Sequence, residues 1–317
     1  MFRAARDVIT RPLAFATGVA SLATLIAYGG RWFWICELLV NFRTHYALFF
    51  VAALPVALVI GRWSIAAAAM IGLALNVWPM VGTYFGVGVP VPPNARAVRL
   101  AAFNINIGNE NLPAIAAWLD ATQADVAVLA EVSPPHAEKL AALVPRLSSH
   151  YFAEHDGVWG VVILSRWPLR APQPATNDGV TFAARVDVDL GDRIFRLYGA
   201  HLNWPVVPET EAVRNAQLAA MGRELSGCEH ACVAVGDFNV TPWSSHFRDT
   251  RDSRGVHDCT AGRGFLATWS SDLPAPLRIR IDQCLVAGAV GVADVRVGDS
   301  VASDHFATIN DLMIGGS

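Results

Sequence analysis

Ala231-Cys-Val-Ala-Val-Gly-Asp-Phe-Asn239 sets an apolar run against a glycine, a carboxylate and an amide. Ala231–Val235 has the length and branched content of a buried strand. Its polar end places reactive groups where a strand opens into a loop, and Asp237 and Asn239, two apart, are expected to share a face.

Working outward, the same device recurs. Asn104 and Asn106 are two apart in Ala101-Ala-Phe-Asn-Ile-Asn106, and Glu131 follows Val126-Ala-Val-Leu-Ala130. His201 follows Leu197-Tyr-Gly-Ala200, Asp282 lies within Ile279-Arg-Ile-Asp-Gln-Cys-Leu-Val286, and Ser303-Asp304-His305 precedes a last apolar run. Alone, each has a plain structural reading: a turn asparagine, a loop acid before Ser-Pro-Pro, a packed histidine. Recurrence in order, each at a strand end, points to one site.

The pattern from residue 97 predicts strands over 98–107, 125–130, 160–164, 182–190, 193–200, 231–235, 281–286 and 306–309. Helices are expected over 112–121 and 209–225, with a helical turn at 138–143. Val213, Leu218, Met221 and Leu225 are the expected buried stripe of the 209–225 helix. So many strands with few helices predict an α/β (α+β) domain of two packed β-sheets flanked by helices, a four-layer sandwich, rather than a doubly wound sheet.

Carboxylates with amide oxygens suit a hard cation, Mg²⁺ or Mn²⁺. Phosphate-ester hydrolysis needs such a cation to offset phosphoryl charge, and a base to activate water. A histidine oriented by an aspartate supplies the base or a hydrogen bond in the transition state.

The ordered set Asn104-x-Asn106, Leu129-Ala-Glu131, Leu164-Ser-Arg166, Gly199-Ala-His201, Gly236-Asp-Phe-Asn239, Ile281-Asp282 and Ser303-Asp-His305 resembles the endonuclease/exonuclease/phosphatase (deoxyribonuclease I-like) superfamily over residues 97–312. The resemblance implies a metal-dependent phosphoric ester hydrolase. It makes Glu131 the principal metal ligand, with Asn104 and Asp304 nearby. Asp237 would orient or deprotonate the attacking water, and Asn239 would bind the scissile phosphate. His305, oriented by Asp282, and His201 would face the phosphate. The family's usual Gln before the metal-binding Glu is here Ala130. Thr241-Pro-Trp-Ser244, Arg214-Asn-Ala-Gln217 and the apolar N-terminus are similar to membrane-tethered bacterial members, some of them linked to envelope lipid-phosphate metabolism or glycopeptide resistance.

The N-terminal third obeys different rules. The 317-residue chain is 53% hydrophobic and 16% charged, with mean hydropathy +0.37; soluble domains carry roughly 25% charged residues. Between residues 12 and 88 the charges are Arg31, Glu37, Arg43 and Arg62. Apolar runs at 12–30, 46–61 and 63–88 predict about three transmembrane helices, and Trp32, Phe33 and Trp34 an interfacial helix between the first two. Residues 1–88 thus form a membrane region, 89–96 a stiff proline-rich linker, and 97–317 the catalytic domain. Arg3, Arg6 and Arg11 before the first run place the N-terminus in the cytoplasm. Three spans then leave the catalytic domain extracytoplasmic, on a bacterial inner membrane; two would return it to the cytoplasm.

Cys228, Cys232, Cys259 and Cys284 allow two disulfides in three connectivities, with Cys228 and Cys232 close enough to bridge a turn. Cys228-x3-Cys232 is a weak zinc signal without a second ligand pair. Residues 98–317 hold 25 Asp and Glu against 17 Lys and Arg, including the single lysine, Lys139. A nuclease without sequence preference draws its affinity from cations on phosphates. The balance therefore favours a phosphorylated small molecule or lipid phosphate over nucleic acid. A metal-dependent nuclease is the alternative, and a non-catalytic membrane scaffold a second, which would have no reason to keep every reactive residue.

Overall fold

The computed structural model describes residues 2–154 and 160–316. The N-terminal region comprises α1 (Phe2–Ala27), α2 (Trp34–Val40), α3 (Arg43–Val59), α4 (Trp63–Val77), a 3-10 turn at Trp78–Met80 and α5 (Val81–Phe85). Then follow β1 (Arg96–Asn104), α6 (Leu112–Ala121), β2 (Val126–Ala130), α7 (Pro134–Leu143), β3 (Ser149–Ala153), β4 (Val161–Ser165), β5 (Leu169–Asn177) and β6 (Val180–Asp189). The chain continues through β7 (Ile194–His201), α8 (Pro208–Ser226), β8 (Ala231–Asp237), α9 (Ser245–Arg251), β9 (Val256–Asp258), β10 (Asp282–Ala287), β11 (Val290–Val297) and β12 (Thr308–Ile314).

The strands form two six-stranded sheets, ordered β11-β12-β1-β2-β4-β3 and β5-β6-β7-β8-β10-β9. Each has one parallel pair at its middle: β1 with β2 across α6, and β7 with β8 across α8. Alternation along the strands sends residues to two cores. Leu100, Val126, Val128 and Ile163 of the first sheet meet Val186, Leu197, Val233 and Val286 of the second. Ala101, Phe103 and Leu129 face the other way, onto Ile115 and Leu119 of α6 and Leu140 of α7. Tyr198, Ala234 and Leu285 face Leu218 and Met221 of α8. Burial on both faces explains why β2 and β8 read as continuous apolar runs. The result is the expected four-layer sandwich.

Several elements differ from their sequence reading. α7 is a full helix, because Ser133 accepts a hydrogen bond from the His136 amide and Pro134 opens the first turn. β5, bulged and carrying Pro172 and Pro174, lies at a sheet edge, where proline is tolerated. In α8, Val213 is exposed, while Arg214 and Gln217 are buried beside Leu218, Met221 and Leu225.

Among the N-terminal helices, Val8–Ala27 and Trp63–Phe85 are long and apolar enough to cross a membrane. The pair α2 and α3, bent by 56°, qualifies as a third only if counted as one span. α3 and α4 approach closely: a Cβ on Gly72 would lie 2.4 Å from the Phe50 ring. Asn76 donates to Thr24 Oγ1 at 2.9 Å, so polar groups pair inside the bundle. The region is joined to the sandwich by more than its linker. Arg31 pairs with Asp249 at 2.8 Å, His45 contacts the Leu277 carbonyl at 2.9 Å, and Val89 of the linker accepts from the Val292 amide at 3.2 Å.

Cys228 pairs with Cys232, and Cys259 with Cys284 on neighbouring strand segments, leaving Cys36 as the free thiol among the described residues. Protein purified without reductant and then denatured is expected to titrate one thiol per chain, and five after reduction; three or more before reduction would contradict these pairings.

Candidate active site

The two parallel pairs end at the same end of the sandwich, and the predicted residues sit on those ends. In the second sheet, His201 of β7, Asp237 of β8 and Asp282 of β10 lie side by side in register. In the first, Asn104 pairs with Ala130, so Glu131 follows at the adjoining strand end. Ser303-Asp304-His305 arrives from the turn before β12, with the Ser303 hydroxyl donating to the Asn104 carbonyl at 2.7 Å.

Gly236 allows a close approach of β8 to β7. Its φ is +138°, and a Cβ there would lie 2.0 Å from the Ala200 carbonyl oxygen. Asn106, Glu131 and Asn239 all have left-handed backbones, with φ of 64°, 58° and 49°. Such backbones cost about 1–3 kcal/mol for residues that disfavour them, and persist only where the surroundings impose them. These turns change the expected geometry: β1 ends at Asn104 and β8 at Asp237, so Asn106 and Asn239 reach the cleft from beyond the strands rather than by alternation along them.

The side chains form one network. Asn104 Nδ2 donates to Glu131 at 2.9 Å and to Asp237 at 3.1 Å. Its oxygen accepts from the Asn106 amide at 3.0 Å, so Asn104 holds two carboxylates in place. Asn106 Nδ2 donates to Asp304 at 2.8 Å, and the Trp269 indole donates to the same carboxylate at 3.1 Å. The Ile107 amide donates to Glu131 at 2.9 Å. Asn239 gives its backbone N–H to Asp237 at 2.8 Å and its side-chain amide to the Leu202 carbonyl at 2.9 Å. His201 Nε2 stands 3.7 Å from Asp237 and 3.8 Å from Glu131. His305 Nδ1 lies 3.0 Å from Asp282, and its Nε2 is 3.7 Å from Asp237.

Burial pushes the Asp237 carboxyl up to about 7, against the pull of His305; neighbouring Asp282 adds to the rise. Burial disfavours a charged His305, but Asp282 and Asp237 outweigh it and raise that imidazole to about 10. Asp304 is held below the ordinary carboxylate range: burial opposes this, but the bonds from Asn106 and Trp269 and the nearby His305 prevail.

An open cavity of about 630 Å³ covers this network. Its walls include Trp204, Val206 and Trp269, and also Leu38, Asn41 and Phe42 from the N-terminal region. The described lining contains no lysine or arginine. Carboxylates thus outnumber cationic groups around a space bordered by amide oxygens, a donor set that fits a divalent cation. Among the described residues, however, no group of three or more His, Cys, Asp or Glu side chains is placed to hold a metal ion by itself.

Asn104, Glu131, His201, Asp237, Asn239, Asp282, Asp304 and His305 are therefore brought together. Arg166 is not: it pairs with Asp125 at 2.7 Å, at the end of β4 remote from Glu131. Of the loop tryptophans Trp159, Trp204 and Trp269, the last two line the cavity, and Trp159 lies outside the described residues. The wall from Leu38 to Phe42 was missed by the sequence reading, although Glu37 and Asn41, polar groups in an apolar stretch, were a usable signal.

Residues 101–305 match the Endonuclease/Exonuclease/phosphatase family. The fold is similar to that of the endonuclease/exonuclease/phosphatase from Beutenbergia cavernae DSM 12333, at 22% identity and TM-score 0.54 over 70% of this chain and 72% of that one. The Bacteroides vulgatus endonuclease/exonuclease/phosphatase aligns at 18% identity and TM-score 0.57, over 69% of this chain and 100% of its own. D. rerio TDP2, complexed with a single-strand DNA product, aligns at 16% identity and TM-score 0.54, over 68% and 98%. No curated protein matches the chain.

The charge balance around His305 is testable without a substrate. In chelator, with [ε1-¹³C]histidine, the His305 resonance should not titrate between about pH 6 and 8 in the wild type. Asp282→Asn removes a neighbouring negative charge and should move the midpoint down into or below that window. A wild-type midpoint near 6.5 would refute the assignment.

Proposed function

Because the chain belongs to the endonuclease/exonuclease/phosphatase family, we propose that it is a divalent-metal-dependent hydrolase of a phosphoester or pyrophosphate carried on a lipid or similar amphiphile at the bacterial inner membrane. The observation that carries this reading is the composition of the cavity: carboxylates and histidines beside apolar walls, part of which come from the segment between the candidate spans. The polar groups suit a phosphate and the apolar walls suit a tail. Long nucleic acid would need a cationic track, which the described lining lacks.

Glu131 and Asp304, with the Asn104 oxygen, are the residues that would hold Mg²⁺ or Mn²⁺. When bound, the cation offsets negative charge on the phosphoryl oxygens. Asp237, buried and poised near 7, is the group to accept a proton from an attacking water at neutral pH. His305 keeps its proton and presents a charged N–H toward the phosphoryl group, oriented through Nδ1 by Asp282. His201 stands on the other side of Asp237 and offers a second contact. Asn239 binds the phosphate through the amide capacity that Leu202 does not use.

The two disulfides suit an oxidising compartment and so support the reading that the domain is extracytoplasmic. That side follows from an inside N-terminus if α2 and α3 together make one of three spans.

Purified full-length protein should release phosphate from isoprenyl phosphates or diphosphates, or from phospholipids, only with Mg²⁺ or Mn²⁺. Asp237→Asn and His305→Ala should each lower kcat by about 10²–10⁴-fold. Activity surviving both changes would sink the proposal. Efficient nicking of plasmid DNA, with no action on amphiphiles, would install the nuclease reading instead.

A further inference from the structure

Glu37 is the single carboxylate between residues 12 and 88, and it is 1% exposed. A buried carboxylate persists only with partners. Its partners belong to the sandwich: Arg214 Nη2 lies 3.2 Å from Oε1, and the Ser244 hydroxyl donates to the same oxygen. Arg214 is itself 0% exposed. Its Nη1 donates to the Asn239 carbonyl at 3.0 Å, its Nε to Asn215 at 2.9 Å, and Glu211 stands 3.7 Å from Nη2. Beside this, Asn41 accepts from the Thr241 hydroxyl at 2.9 Å and from its amide at 3.4 Å.

A chain of contacts therefore runs from α2 to the floor of the cavity, Glu37 to Arg214 to Asn239, whose N–H then holds Asp237. Asn239 is one of the left-handed residues, and the Arg214 bond to its carbonyl is one of the contacts that hold that turn. Replacing a buried ion pair by apolar groups of similar size is often neutral for stability. An apolar side chain cannot donate to the Asn239 carbonyl. That bond, not folding energy, is what the ion pair supplies here.

We propose that Glu37 is a positioning residue for hydrolysis: through Arg214 it fixes the Asn239 turn, making the N-terminal helical region a component of the active site and not only an anchor. The proposal rests on the reading of Asp237 and Asn239 as reacting and phosphate-binding groups. It accounts for α2 lying against the sandwich, where the neighbouring Leu38, Asn41 and Phe42 also wall the cavity.

The test uses full-length protein in detergent micelles and two variants, Glu37→Gln and the apolar pair Glu37→Leu with Arg214→Met. Hydrogen exchange over residues 236–244 reads the turn, and kcat and KM are read on an isoprenyl diphosphate with Mg²⁺. Glu37→Gln should speed exchange there and lower kcat about tenfold, with KM nearly unchanged. The apolar pair should return Tm to the wild-type value while kcat stays low. Unchanged exchange in Glu37→Gln, or kcat recovering together with Tm in the apolar pair, would overturn the proposal. If Asp237→Asn retains full activity, the functional reading fails by itself, and the exchange result still decides whether Glu37 fixes the turn.

Discussion

Asp237 and Asp282 face each other across neighbouring strands, and both are almost wholly buried. Two carboxylates so placed cannot both ionise cheaply in a medium of low polarity. The structure answers by inserting His305, which bonds Asp282 and stands near Asp237. Burial, with a smaller push from Asp282, raises the Asp237 carboxyl, while the two carboxylates together keep His305 protonated against its own burial. Glu131 and Asp304 add carboxylates from the first sheet, so acidic groups are concentrated at one end of the sandwich.

This crowding explains the architecture around it. Parallel pairs end together, so reactive groups from β1, β2, β7 and β8 meet at one edge. To aim those groups inward, the chain turns sharply as it leaves the strands, through left-handed Asn106, Glu131 and Asn239. Asparagine tolerates that conformation, but a glutamate there is uncommon. Glu131 is held by two donors, the Asn104 side chain and the Ile107 amide, which offset the strain.

Much of this was legible in the sequence because burial writes a pattern. β2 and β8 carry uninterrupted apolar runs, and polar residues directly after them mark the strand ends. What was not legible lies where tertiary context overrides local pattern. β5, with its prolines, looks like a loop until it is seen as an edge. β9 is three residues long and exists only by pairing with β10. Val213 follows helical spacing yet faces outward, because the buried position beside it belongs to Arg214, whose partner is 177 residues away in sequence. The Trp269 bond to Asp304 likewise follows from loop packing that no spacing encodes.

α2 is where the two halves of the sequence reading meet. Trp32, Phe33 and Ile35 are exposed, whereas Cys36, Glu37 and Val40 are buried. Around them, α1, α3 and α4 expose Phe15, Leu22, Val51 and Ile71 while Asn76 and Thr24 are inside. Such a surface is inverted relative to a soluble domain, with its apolar side chains outward. α2 thus has one face of the kind that suits lipid and another that accepts a buried charge. A charge in that position tolerates little sliding or rotation of the helix, since any shift separates Glu37 from Arg214 where both are buried. In its proposed role the ion pair is a register mark for α2, whose Leu38, with Phe42 just beyond the helix, lines the same cavity as the carboxylates.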